Sequence, residues 1–123
     1  MPNQVFLDQD GFIHNIYQGD QTRESVEAVV NKNNQLVAKL RQQNRPVLVL
    51  ADLTQLGQSS LGSRQASAEA LKNEDFDKVA LFGANIFMKH VGNFIITASG
   101  QDQRAKMFNT KDEAIGWLKK NAK

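Results

Sequence analysis

Apolar and polar positions follow two rhythms along the chain, one of two residues and one of three to four. Gln4-Val5-Phe6-Leu7 reads as a short strand and Asp10-Gly11 as a hairpin turn, whose central residues need positive φ. Phe12 to Tyr17 is β-branched and aromatic enough to be the return strand, which Gly19-Asp20 ends. The rhythm then lengthens. Val26, Val29, Val30, Leu36, Val37 and Leu40 fall on one helical stripe that Asn33 interrupts, while Glu27, Lys32, Gln35, Lys39 and Gln42 occupy the opposite face. Asp20 or Thr22 caps this helix. It ends near Asn44, and Pro46 prevents its continuation. Ser25 rather than Glu or Gln stands three residues after Thr22, so no full capping box is expected.

Val47-Leu48-Val49-Leu50-Ala51 is a continuous apolar run, the pattern of a central strand covered on both faces, and Asp52 closes it. A second helix is predicted from Ser59 or Ser60 to Leu71, with Leu61, Ala68 and Leu71 among its inward residues. Lys78 to Gly83 reads as a second buried strand. Ile86 to Thr97 reads as a third helix with Phe87, Val91, Phe94 and Ile95 as its apolar face. Lys106-Met107-Phe108 is a short strand. Asn109 or Thr110 then caps a last helix, Lys111 to Lys120, with Ala114, Ile115, Trp117 and Leu118 inward. The order is β-β-α-β-α-β-α-β-α. It predicts an α/β fold with four helices and a mixed sheet of about five strands, mostly parallel with right-handed crossovers, opened by an antiparallel hairpin. No linker, repeat or low-complexity tract divides the chain, so residues 1–123 are read as a single domain.

In this order the hairpin, the long first helix, VLVLADLTQL, KVALFG and the closing MFNTKDEAIGWLK resemble STAS-like proteins. The likeness is strongest to the small bacterial group allied to anti-sigma-factor antagonists, which is also compared with lipid-binding CRAL-TRIO domains. That group ends in a strand carrying Phe and a helix with Glu-Ala and Trp-Leu, matched here by Phe108, Glu113-Ala114 and Trp117-Leu118. The resemblance implies a non-enzymatic regulatory or protein-interaction module with a protein partner, either a regulatory kinase-like protein or a second copy. In the antagonists an Asp-Ser-Ser-Gly loop follows the central strand, and phosphorylation of one Ser controls docking. The matching segment is Gly57-Gln58-Ser59-Ser60-Leu61-Gly62, with Gln58 in place of Asp and Leu61 before the Gly. Ser59 and Ser60 are thereby candidates for phosphorylation or partner docking. The alternative role for either is the N-cap of the second helix.

Composition narrows the chemistry. A chain of 123 residues with 41% hydrophobic and 23% charged residues can bury one core. It has no cysteine, which excludes disulfides, thiolate metal sites and cysteine nucleophiles and fits a reducing cytoplasm. Fifteen Lys+Arg against 13 Asp+Glu give a net charge of +2. The cations are scattered apart from Lys119, Lys120 and Lys123, which suit a helix C-terminus, so nucleic acid is not an expected partner. The N-terminus reads as no signal peptide, and no apolar run approaches the length of a transmembrane segment. His14 and His90 lack metal-ligand spacing, and neither G-x-G-x-x-G nor a P-loop occurs, so no metal or cofactor is expected. The Ser pair is not a G-x-S-x-G, and no set of acid, base and nucleophile converges, which argues against an enzyme.

Three further candidates remain. Asp52 stands at the C-terminal end of a buried strand, where open α/β sheets bind ligands, and it also suits acceptance of backbone N–H groups in a following turn. Gly83, at the end of the next strand, suits a backbone turn. Phe82, Phe87, Met88, Val91, Phe94 and Ile95 concentrate apolar surface around the third helix, as a small apolar or lipid-like ligand or an interface would require. Phe87 and Met88 are adjacent and cannot both lie at the centre of one narrow face. At least one is expected to be exposed and to serve a partner or dimer surface. A carrier of this kind would enclose roughly several hundred Å³.

Overall fold

The computed structural model describes residues 2–120. It contains β1 (Gln4–Leu7), β2 (Phe12–Gln21), α1 (Arg23–Gln42), β3 (Leu48–Ser59), α2 (Leu61–Asn73), β4 (Lys78–Phe82), α3 (Ile86–Ala98), β5 (Ala105–Phe108) and α4 (Lys111–Lys119). The strands lie in the sheet in chain order, β1-β2-β3-β4-β5. β1 runs antiparallel to β2, and every later pairing is parallel. This is the expected α/β architecture of five strands and four helices.

Local chemistry sets the helix ends. The Thr22 hydroxyl accepts from the Ser25 amide, and the Ser25 hydroxyl accepts from the Thr22 amide. A capping box therefore forms at α1 against expectation, because a serine at the third helical position reaches back as a Glu would. Thr110 and Glu113 make the same reciprocal pair at α4. At the far end of α1, Asn44 takes a left-handed turn (φ 56°), and Arg41 bonds Asp75 and Asp77 at 2.8 and 3.0 Å. Asp77 also accepts the Val47 amide at 2.8 Å, which ties the helix exit to the starts of β3 and β4.

Each face of the sheet carries its own core. Ile13, Val49 and Val79 pack with Val37 and Leu40 of α1, Leu71 of α2 and Ile96 of α3. On the other face Phe12, Leu48, Leu50, Ala80 and Phe82 pack with Ala114 and Leu118 of α4. Lys78 fastens α4 from below. Its ammonium lies 4.7 Å from the Trp117 ring centroid and donates to the carbonyls of Trp117 and Lys120, which the end of a helix leaves without partners. Lys119 lies in the last turn as expected, while Lys123 is outside the described residues.

Two strands run past their expected ends. β2 continues through Gly19-Asp20 to Gln21, and β3 continues through Asp52 to Ser59. Their register explains the overrun. Between the pairs Ile16↔Asp52 and Gln18↔Gln55, β2 advances by two residues and β3 by three, and the same slip recurs between Gly19↔Leu56 and Gln21↔Ser59. Each slip is a bulge that re-aims the side chains. The second is held where Gly57 meets the other strand. A Cβ there would stand 2.9 Å from the carbonyl carbon of Gly19, and the neighbouring Gln58 amide donates to Asp20 at 2.7 Å.

Among the described residues α4 is the one helix over its face of the sheet, and Leu118 is fully buried there. Leu118→Ala is expected to destabilise the fold by about 2–5 kcal/mol, read as a lower urea midpoint at unchanged m-value.

Candidate functional site

A strand of period two cannot turn residues 53, 56 and 59 to the same side. The two bulges of β3 do so, and Ala51, Leu53, Leu56 and Ser59 all line a cavity between the sheet and the three helices above it. Asn15 and Tyr17 of β2, Leu81 of β4 and Met107 of β5 complete the floor. Val30 and Val37 of α1, Leu71 of α2, and Met88, Val91 and Ile95 of α3 form the walls. α3 comes close to the sheet through Gly92, where a Cβ would lie 3.0 Å from the Met107 sulfur. The cavity, partly open to solvent, has a volume of about 190 Å³. That is below the range of drug-sized ligands and a little above an engineered apolar cavity of about 150 Å³ that takes up benzene.

The lining is overwhelmingly apolar, and its polar groups are mostly engaged. Asn15, although only 3% exposed, exchanges two 2.8 Å hydrogen bonds with Asn33 of α1. Asn33 therefore interrupts the apolar stripe of α1 in order to pair with a buried strand amide. Ser63 donates to the Ser60 carbonyl at 2.7 Å, and Gln21 bonds Asn3 and two backbone carbonyls. Among the described residues no buried side-chain nitrogen or oxygen is left without a partner. Tyr17 retains some accessible surface because it borders the cavity, yet the protein packed around it pushes its phenol up to about 12.

The sequence-predicted residues separate into three places. Ser60 is the exposed N-cap of α2, its hydroxyl accepting from the Ser63 amide at 3.0 Å. Ser59 is the last residue of β3, and its hydroxyl accepts from Arg64 Nε at 3.0 Å and touches Met88 Sδ at 3.7 Å. Asp52 faces away from the cavity, and its carboxylate accepts from the Thr54 amide and hydroxyl at 2.9 and 2.7 Å, inside β3 and not in the turn expected to follow it. α3 divides its apolar residues between two sides. Met88, Val91 and Ile95 turn to the cavity, whereas Phe87 and Phe94 are 64% and 73% exposed and Ile86 is 79% exposed. At least one of Phe87 and Met88 was expected outside, and it is Phe87.

Gly83 (φ 85°) makes the backbone turn into α3, which Asn85 caps. His14 is stacked on Phe6 and bonds Asp8 at 2.6 Å on the other side of the sheet, away from His90. Burial raises the Asp8 carboxyl, but the His14 bond, the Phe12 and Asp10 amides and the His14 charge outweigh it and leave the carboxyl below its usual value. Among the described residues no three potential ligands gather to hold a metal.

Sequence reasoning missed Asn15, Asn33, Tyr17 and Arg64 as cavity residues. The available signals were a polar residue on an apolar helical stripe and the three-residue spacing of Leu53, Leu56 and Ser59 inside a strand.

Tyr17 is the single tyrosine of the chain, so its ionisation can be followed alone by absorbance near 295 nm. The folded protein is expected to titrate near pH 12, against about 10 in urea. Because the folded phenol keeps its proton where the unfolded one loses it, stability is expected to fall as pH rises above about 10.

The chain matches the family described as Domain of unknown function (DUF7793) over residues 6–122. No curated protein matches it. Among solved structures it is similar to an uncharacterized protein of the DUF3478 family from Shewanella loihica PV-4, described as having a SpoIIAA-like fold. The two are 21% identical with a TM-score of 0.66, over 94% of this chain and 91% of the other. The fold is thus SpoIIAA-like, which is the fold of STAS domains and anti-sigma-factor antagonists. Among the described residues no helix is long and apolar enough to cross a membrane.

Proposed function

The chain belongs to the DUF7793 family, and for it we propose a non-catalytic STAS-type binding module whose cavity under α1, α2 and α3 takes up a small apolar ligand. The observation that carries this reading is the cavity itself. Val, Leu, Ile and Met from four strands and three helices supply most of its lining, and of the amides that border it Asn15 and Asn33 bond each other while Gln21 bonds Asn3. Ligand sites are concave, apolar and largely preformed, and this one has those properties at the scale of a small molecule. Binding is favoured over catalysis because, among the described residues, no hydrogen-bonded set of acid, base and nucleophile lines the cavity. The cysteine-free composition fits a cytoplasmic setting.

A second reading is favoured by the outer side of α3. Large apolar side chains on an exposed helix face are normally covered, and here Ile86, Phe87 and Phe94 are open to solvent beside His90 and Asn93, with Leu61 exposed at the start of α2. α2 and α3 both begin where parallel strands end, so Leu61, Ile86 and Phe87 share one rim of the molecule, and Phe94 lies about two turns farther along α3. In this reading the rim docks a regulatory protein partner. Ser60, exposed on it, is then the position where a phosphate would change its charge.

Native mass spectrometry of protein purified from its own host separates the two readings. A bound molecule that is lost on denaturation, and is absent from Ala51→Phe, is the result expected of the carrier. Ala51 is 3% exposed on the cavity floor, so a ring there occupies the ligand space. Phosphate mapped to Ser59 or Ser60, with a partner retained and the cavity empty, favours docking. An unmodified and unliganded mass in every preparation contradicts both.

A further inference from the structure

The cavity has one charged end. Among the described residues Arg64 is the only arginine or lysine in its lining, and its placement is unusual for a structural residue. It is the fourth residue of α2, close to the positive end of the helix dipole, where a cation is disfavoured. No acidic residue occupies that first turn to offset it. Three other arginines are engaged: Arg23 and Arg41 each hold two carboxylates, and Arg104 bonds the carbonyls of Phe76 and Leu71, while Arg45, outside the cavity lining, reaches Gln43 at 3.5 Å. Among the described residues Arg64 has no carboxylate partner, and its one side-chain hydrogen bond runs from Nε to the Ser59 hydroxyl. Both terminal nitrogens are left as donors, in the planar arrangement that matches a carboxylate.

The rest of the cavity fixes the polarity. Glu74 and Asp75, the acidic residues in the lining, lie beyond the other end of α2, about 15 Å from Arg64 along the helix axis. Asp75 is already held by Arg41. Between the two ends the lining is uncharged, and Val30, Leu71, Val91 and Ile95 supply most of it beside Ser67, Asn33 and Asn34. Arg64 and Ser59 also stand at the C-terminal end of β3, the end at which parallel sheets hold their ligands.

We infer that the ligand is a small amphiphile with one anionic head of carboxylate type, bound by the Arg64 guanidinium beside Ser59, with its apolar tail directed along α3 toward Val91 and Ile95. This rests on the carrier reading above and names the ligand class for the same cavity. An apolar body enters the cavity for its own sake, and the head group satisfies a cation that the fold leaves unpaired.

Three probes of equal tail length test it by isothermal titration: octanoate, octanol and octylamine, against wild type, Arg64→Gln and Arg64→Lys. Octanoate is expected to bind wild type at least about tenfold more tightly than octanol, with octylamine weakest. Arg64→Gln is expected to remove the preference for octanoate while octanol binds as before, which also shows that the variant keeps its cavity. Arg64→Lys, which keeps the charge without the planar fork, is expected to retain part of the preference. Equal affinity for octanoate and octanol in wild type, or a preference that survives Arg64→Gln, overturns the head-group assignment and leaves the carrier reading standing. Failure of all three probes to bind overturns both.

Discussion

A right-handed crossover in a sheet whose strands follow chain order leaves no choice of face. From β2 to β5 each strand lies beside its predecessor and parallel to it, so α1, α2 and α3 must all return on the same side. Everything else follows from that crowding. Three helices share one sheet surface, α1 beside β1 and β2, α3 beside β5 and α2 between the two helices, and the space they fail to fill is the cavity. The opposite surface receives only α4 among the described helices, which explains why Lys78, Trp117 and Leu118 hold that helix through a cation–π contact, carbonyl bonds and burial together.

The division of labour within β3 shows how packing and function share one strand. Its first half, Leu48 to Ala51, is buried on both faces and belongs to the two cores. Its second half is bulged twice, pairs only with β2, and turns Leu53, Leu56 and Ser59 toward the ligand space. Bulges commonly re-aim side chains near functional sites, and Gly57 permits the close approach to Gly19 that the second one needs. The buried amides follow the same logic. Asn15, Gln18 and Gln21 lie on β2 where burial would be costly, and each has a side-chain partner, Asn33, Gln55 or Asn3.

The legibility of the sequence tracks these causes. Element order, helix number and the two buried strands were readable because hydrophobic periodicity reports burial directly, as in Val47–Ala51 and the α1 stripe. The strand ends were not. Gly19-Asp20 and Gly57-Gln58 carry turn composition, yet pairing between β2 and β3 draws both into the sheet. The Thr22–Ser25 capping box was missed because serine is an uncommon third member. Of the candidate site, the apolar third helix and the exposure of one of Phe87 and Met88 were legible, whereas Phe87 and Phe94, read as part of the inward face, lie outside it. Arg64 was not, since its significance lies in lacking a carboxylate neighbour, and that is a property of three-dimensional surroundings alone.

Xenon offers the most direct test of the account, because it enters dry apolar cavities without needing a head group or a particular shape. A crystal of the protein pressurised with xenon is predicted to show a bound atom between Leu56, Val91 and Ile95, under the three crossover helices. Ordered water filling that space, or no xenon there, would contradict the claim that the crowded face of the sheet encloses an apolar ligand site.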